Sequence, residues 1–73
     1  MDRAQVTNLW RAVRFRLDDQ IFERRLVPQV EDAAIELNIS SPVGERLLLA
    51  GEGDEMQVAV PAGVVVVKVL AIC

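Results

Sequence analysis

The sequence predicts an α+β domain, a mostly antiparallel five-stranded sheet with one short helix in the order β-β-β-α-β-β. Three observations predict it. Short stretches alternate apolar and polar residues with period two. One stretch repeats at helical spacing behind a Ser-Pro step. Asp, Pro and Gly residues that favour turns separate the stretches.

Residues 1–10 show no clear periodicity and read as a tail before a domain of residues 11–73. Val13, Phe15 and Leu17 alternate with Arg14, Arg16 and Asp18, the pattern of a half-buried strand. Asp18-Asp19-Gln20 reads as a tight turn, because an Asp side chain can bond its own backbone two residues on. Residues 21–27 complete a hairpin. There Arg24 stands between Phe22 and Leu26 on one nominal face, which suggests a bulge. Pro28 ends the strand, since it has no N–H for a ladder. Residues 29–34 read as a loop or a short helical turn, and Ile35, Leu37 and Ile39 mark a third strand.

Ser41 is a natural helix cap, and Pro42 at the first helical position sacrifices no hydrogen bond. Val43, Leu47 and Ala50 share one helical face, and Gly51 is a stop signal. After the Gly53-Asp54 turn, Met56, Val58 and Val60 alternate with Gln57 and Ala59. Pro61-Ala62-Gly63 then leads into a final strand over residues 64–72. That strand is apolar on both faces. Val65, Val67, Val69 and Ala71 share one face, and Val64, Val66, Leu70 and Ile72 share the other. Either it is central and covered by the helix, or its outer face meets a partner.

Composition narrows the function. With 73 residues the chain has a thin core, so partner contacts or homo-oligomerisation can matter to its stability. Histidine is absent, which excludes an imidazole base and a His-ligated zinc. Cys73 is the lone cysteine, so no disulfide framework forms within the chain. Trp10, Phe15 and Phe22 are too few aromatics for a base-stacking platform, and a net charge of −3 disfavours a phosphate backbone. No apolar run reaches the roughly 18 residues of a membrane span. The polar N-terminus does not read as a signal peptide, and a cytoplasmic location is expected. A binding module is favoured over an enzyme, with no cofactor.

From Asn38 to Gly63 the sequence resembles the C-terminal domain of Gre-type bacterial transcript-cleavage factors. Ser41, Pro42, Val43, Gly44, Leu47, Leu48, Gly53, Asp54 and Val58 fall in register with that family, as do Pro61 and Gly63. The two upstream strands are especially similar to the related regulator of nucleoside diphosphate kinase, which shares the domain. The resemblance implies an FKBP-like fold. It departs from the family pattern at Asn38, Arg46, Leu49 and Ala62, and in a short connection between the second and third strands.

The resemblance also implies a partner, RNA polymerase, contacted at the rim of its secondary channel by the Ser40-Ser41-Pro42 corner. Nucleic acid would be met only indirectly. In the cleavage factors an N-terminal coiled coil enters the channel, and its acidic tip helps hold a catalytic metal. About ten residues precede the first strand here, too few for two antiparallel helices, and Asp2 is their one acid. Transcript cleavage by this chain alone is therefore not expected. The alternative is a structural or self-association domain, or a fragment of a longer factor.

Other features have plainer readings. Glu52, Asp54 and Glu55 have the chemistry of a hard-cation site but no EF-hand spacing, and read as a solvated turn with Glu45 nearby. Arg11, Arg14, Arg16, Arg24 and Arg25 gather on the first hairpin, read as a solvated face paired with Glu23 and Asp18. An FKBP-like fold invites a prolyl-isomerase assignment. That activity needs an aromatic-lined pocket, which these three aromatics cannot build.

Overall fold

A computed structural model describes residues 9–72, and the elements run in the predicted order. β1 (Ala12–Leu17) and β2 (Gln20–Val27) form a hairpin in which Leu17 faces Gln20 and Ala12 faces Arg25. Its two-residue turn places Asp18 at φ 53. Tight hairpins of this length need a positive φ at that position, and Asp tolerates it better than most residues. The expected local Asx bond is replaced by a distant one, because Asp18 Oδ1 accepts from Val66 N at 3.0 Å.

No bulge interrupts the β1–β2 pairing, contrary to the expectation from Arg24. Arg24 occupies a core-side position by lying over its neighbour, with its guanidinium carbon 5.2 Å from the Phe22 ring centroid. Its Nη1 donates to the Glu23 carbonyl at 2.9 Å, so the stem is covered while the charge reaches the rim.

β3 (Glu36–Asn38) is shorter than the alternation of Ile35 to Ile39 suggests, and Ile35 is exposed. It runs parallel to the last three residues of β2, from Arg25 opposite Glu36 to Val27 opposite Asn38. So short a parallel pair needs little return path, and residues 28–35 supply it. Two acids order that loop. Asp32 Oδ1 accepts from Ala34 N, and Glu36 Oε1 accepts from the amides of Glu31 and Asp32.

α1 (Pro42–Leu48) is followed by β4 (Glu55–Val60) and β5 (Gly63–Ile72), and the sheet order is β3-β2-β1-β5-β4. Every neighbouring pair except β2–β3 is antiparallel. The helix stops two residues before Ala50, which is still buried.

The bulge of this sheet lies in β5. Phe15 faces Val69 and Arg14 faces Ala71, so Leu70 is an extra residue. This overturns the expected grouping of Ile72 with Val64, Val66 and Leu70, and of Ala71 with Val67 and Val69. One inserted residue reverses the alternation and turns Ile72 into the core. Val13, Phe15, Leu26, Leu47, Ala50, Val58, Val67, Val69 and Ile72 form that core on the helix side. Val64, Val66 and Leu70 remain exposed on the other side. β5 is thus an inner strand of the sheet, yet only one of its faces is covered.

Candidate functional site

The corner at residues 38–44 is built by Asn38, which accepts, and by Ser41, which both donates and accepts. Asn38 Oδ1 accepts from Ser40 N at 2.7 Å, an Asx turn that fixes the chain as it leaves β3. The Asn38 carbonyl accepts from Ser41 N at 3.0 Å and from Ser41 Oγ at 2.7 Å. Ser41 Oγ in turn accepts from Gly44 N at 3.1 Å, which caps the helix. Pro42 follows at the first helical position, where its missing N–H leaves no bond unmade.

Gly44 is required here by space. A Cβ at that position would overlap the Asn38 carbonyl oxygen and crowd Ser41 Oγ. The helix therefore sits directly on the end of β3, and the corner has little freedom to shift. Ser40 and Pro42 are exposed, Ser41 is half-buried, and Val43 turns inward against the core.

Beside the corner lies an open recess of about 210 Å³ lined by Phe15, Leu17, Phe22, Arg24, Leu37 and Val43. Phe15 and Phe22 pack together with their centroids 5.8 Å apart. Five of these six side chains are apolar, and Arg24 supplies a cation at the rim. The sequence reading found the corner but missed the recess and the role of Asn38. The Asn38-x-Ser40 spacing, an Asx-turn signal, and the opposition of Phe15 to Phe22 were the available clues.

The other candidates disperse. Glu52 Oε2 accepts from Ile72 N at 2.9 Å, and Asp54 Oδ2 accepts from Gly51 N at 2.8 Å. Glu55 lies 4.0 Å from Arg16. Among the described residues no three acids, Cys or His come together as metal ligands. Arg14 pairs with Glu23 at 3.2 Å as expected, but Asp18 is taken by Val66. Arg24 faces the core side while Arg14, Arg16 and Arg25 face outward, so the hairpin arginines do not all share one face. Asp2 and Cys73 lie outside the described residues. No helix among the described residues is long and apolar enough to cross a membrane.

The family model described as "Transcription elongation factor, GreA/GreB, C-term" matches residues 11–73. The chain belongs to this family. Among solved structures, GreA factor homolog 1 of Thermus thermophilus is similar, with a TM-score of 0.71 and 26% identity. The prokaryotic elongation factor GreA/GreB from Nitrosomonas europaea is similar with a TM-score of 0.72 and 29% identity. The Thermus aquaticus homolog, at 24% identity and a TM-score of 0.75, supports the fold alone. The matches cover 96% and 97% of this chain, but only 49% of the T. thermophilus factor and 63% of the N. europaea factor. No curated protein sequence matches. The chain is thus a Gre-type elongation-factor C-terminal domain, and the FKBP-like fold implied by the resemblance stands.

Proposed function

We propose that this Gre C-terminal domain binds RNA polymerase through the corner at Ser40, Ser41 and Pro42, and modulates transcription without cleaving RNA. The observation that carries the reading is the rigidity of an exposed proline. Pro42 is held out by the Asn38–Ser41–Gly44 bonds, so little entropy is lost when a partner covers it. The apolar recess beside it extends the contact, with Arg24 placed to meet an acidic or carbonyl group on the partner. The domain acts by occupancy in this reading, competing with other factors for the secondary-channel rim.

Titration of the labelled domain against core RNA polymerase at low salt tests the proposal. Saturable binding is expected at micromolar concentrations, and Pro42→Ala should weaken it several-fold while stability changes by less than about 1 kcal/mol. Val43→Asp should do the reverse and unfold the domain, by forcing a charge against the core. Wild-type affinity for Pro42→Ala would place the contact elsewhere. No binding at tens of micromolar (roughly the weak end of specific association) would remove polymerase as the partner.

A further inference from the structure

We infer that the open edge of β4 is a self-docking surface, on which a second copy of this chain pairs β4 to β4 about a two-fold axis at Gln57. The sheet ends in β3 on one side and β4 on the other. β3 has three residues, whereas β4 has six and no bulge.

The direction of the β4 backbone groups follows from Val66. Its carbonyl accepts from Asp18 N at 2.8 Å, and its N–H donates to Asp18 Oδ1 at 3.0 Å. Both polar groups of Val66 therefore point toward β1. Gln57, its partner on β4, is then in a non-hydrogen-bonded pair and turns its own N–H and C=O away from the sheet. By alternation Glu55 and Ala59 do the same. No hydrogen bond from any described residue reaches these outward groups of Gln57 or Ala59.

A second copy suits this edge because the edge is self-complementary. With the axis at Gln57, Gln57 faces Gln57 of the second copy and Glu55 faces its Ala59. Each such pair exchanges two N–H···O bonds. On the core side the half-buried Met56 faces Val58 of the second copy, which is itself buried in its own core. On the outer side the exposed Val64 and Val66 lie next to the seam.

Charge does not oppose the arrangement. Glu55 is the one charged residue of β4, the axis puts the two copies of it at opposite ends of the seam, and Arg16 lies 4.0 Å from it within its own chain. The edge also lacks the usual protections. It has no lysine and no internal proline, and Pro61 falls just past its end. The Ser40–Pro42 corner leaves β3 at the far edge, so self-pairing leaves it free.

Sedimentation velocity of the full chain, from about 10 µM to about 1 mM, tests the inference. A concentration-dependent monomer–dimer shift is expected. Ala59→Pro removes an outward N–H without touching the β5 ladder, and should raise the dimer dissociation constant at least roughly tenfold. Gln57→Lys sets two ammonium groups opposite each other, and should weaken the dimer by a similar factor at low salt, with recovery at high salt. Circular dichroism checks that each variant is folded. If Ala59→Pro is not, Gln57→Lys decides alone, since its side chain is exposed. A chain that is monomeric across the range, or a dimer that Gln57→Lys leaves unchanged, overturns the inference.

Discussion

Asp18 and Val66 hold each other at two points although 48 residues separate them in sequence. Asp18 N donates to the Val66 carbonyl at 2.8 Å, and Asp18 Oδ1 accepts from Val66 N at 3.0 Å. The backbone has already turned away from β5 at Asp18, so its carboxylate supplies the acceptor that a continuing strand would have given. The contact extends the β1–β5 ladder by one residue past Leu17, and it stabilises the tip of the first hairpin.

Substitutions at Asp18 can separate the acceptor from the backbone requirement. Asp18→Ala loses the acceptor and strains the positive φ, and should cost about 1–2 kcal/mol in urea unfolding. Asp18→Gly loses only the acceptor and should cost less than Ala. Asp18→Asn keeps an oxygen acceptor and tolerates the backbone, so it should stay within about 0.5 kcal/mol of wild type. Equal losses for Ala and Asn would mean that the Val66 bond contributes nothing.

Gly44 offers a sharper contrast, because propensity and packing point in opposite directions. In an exposed helix, Gly→Ala stabilises by up to about 1 kcal/mol. Here the added methyl meets the Asn38 carbonyl, a backbone atom held by two Ser41 bonds, and cannot be accommodated by a side-chain shift. Gly44→Ala should therefore destabilise by about 2 kcal/mol or more. Glu45→Ala, one residue on and exposed, should be nearly neutral. A stabilised Gly44→Ala variant would mean that the helix does not rest on β3 as described.

Much of this was legible in the residues themselves. Period-two alternation located β1 and β4, Pro28 ended β2, and Ser41-Pro42 began the helix for the reasons that operate in the structure. What stayed hidden were events that depend on a neighbouring strand. Nothing local in the run Val69-Leu70-Ala71 reveals a bulge, because all three are apolar and the register of β1 decides which residue is left out. Similarly, Asn38 read as a departure from a family pattern, yet its amide oxygen holds Ser40 N at 2.7 Å. The recess beside Pro42 needed β1, β2, β3 and α1 to meet, and no single segment carries that information.

Glu52 should act locally rather than globally. Its Oε2 receives the Ile72 amide across 20 residues of sequence, at the end of β5 where the ladder to β1 finishes. Glu52→Ala should speed hydrogen exchange at the Ile72 amide by roughly fivefold, in line with the loss of about 1 kcal/mol from one hydrogen bond. Amides in the middle of β5, such as Val67, should change little. Glu52→Gln retains an oxygen acceptor and should exchange nearly as wild type does. Uniform acceleration along β5 would instead mark Glu52 as a determinant of global stability.

The bulge makes a prediction about deletions that runs against ordinary expectation. Removing a residue from an inner strand normally inverts every side chain beyond it and unfolds the domain. Leu70, however, is the residue left without a β1 partner, since Arg14 already faces Ala71 and Phe15 already faces Val69. Deleting it leaves Val69 inward, Ala71 outward and Ile72 inward, which is the alternation a regular ladder requires. The deleted side chain is partly exposed, so the loss should be limited to about 1–2 kcal/mol of its own packing. Deleting Lys68, two residues earlier, leaves the bulge and shifts Val67 and everything before it relative to β1 and β4. That chain should not fold. Cooperative thermal unfolding of the Leu70 deletion, with amide-proton contacts between Arg14 and Ala71 retained in NMR spectra, checks the register. If both deletions unfold alike, Leu70 is an integral ladder residue and the turn of Ile72 into the core needs another explanation.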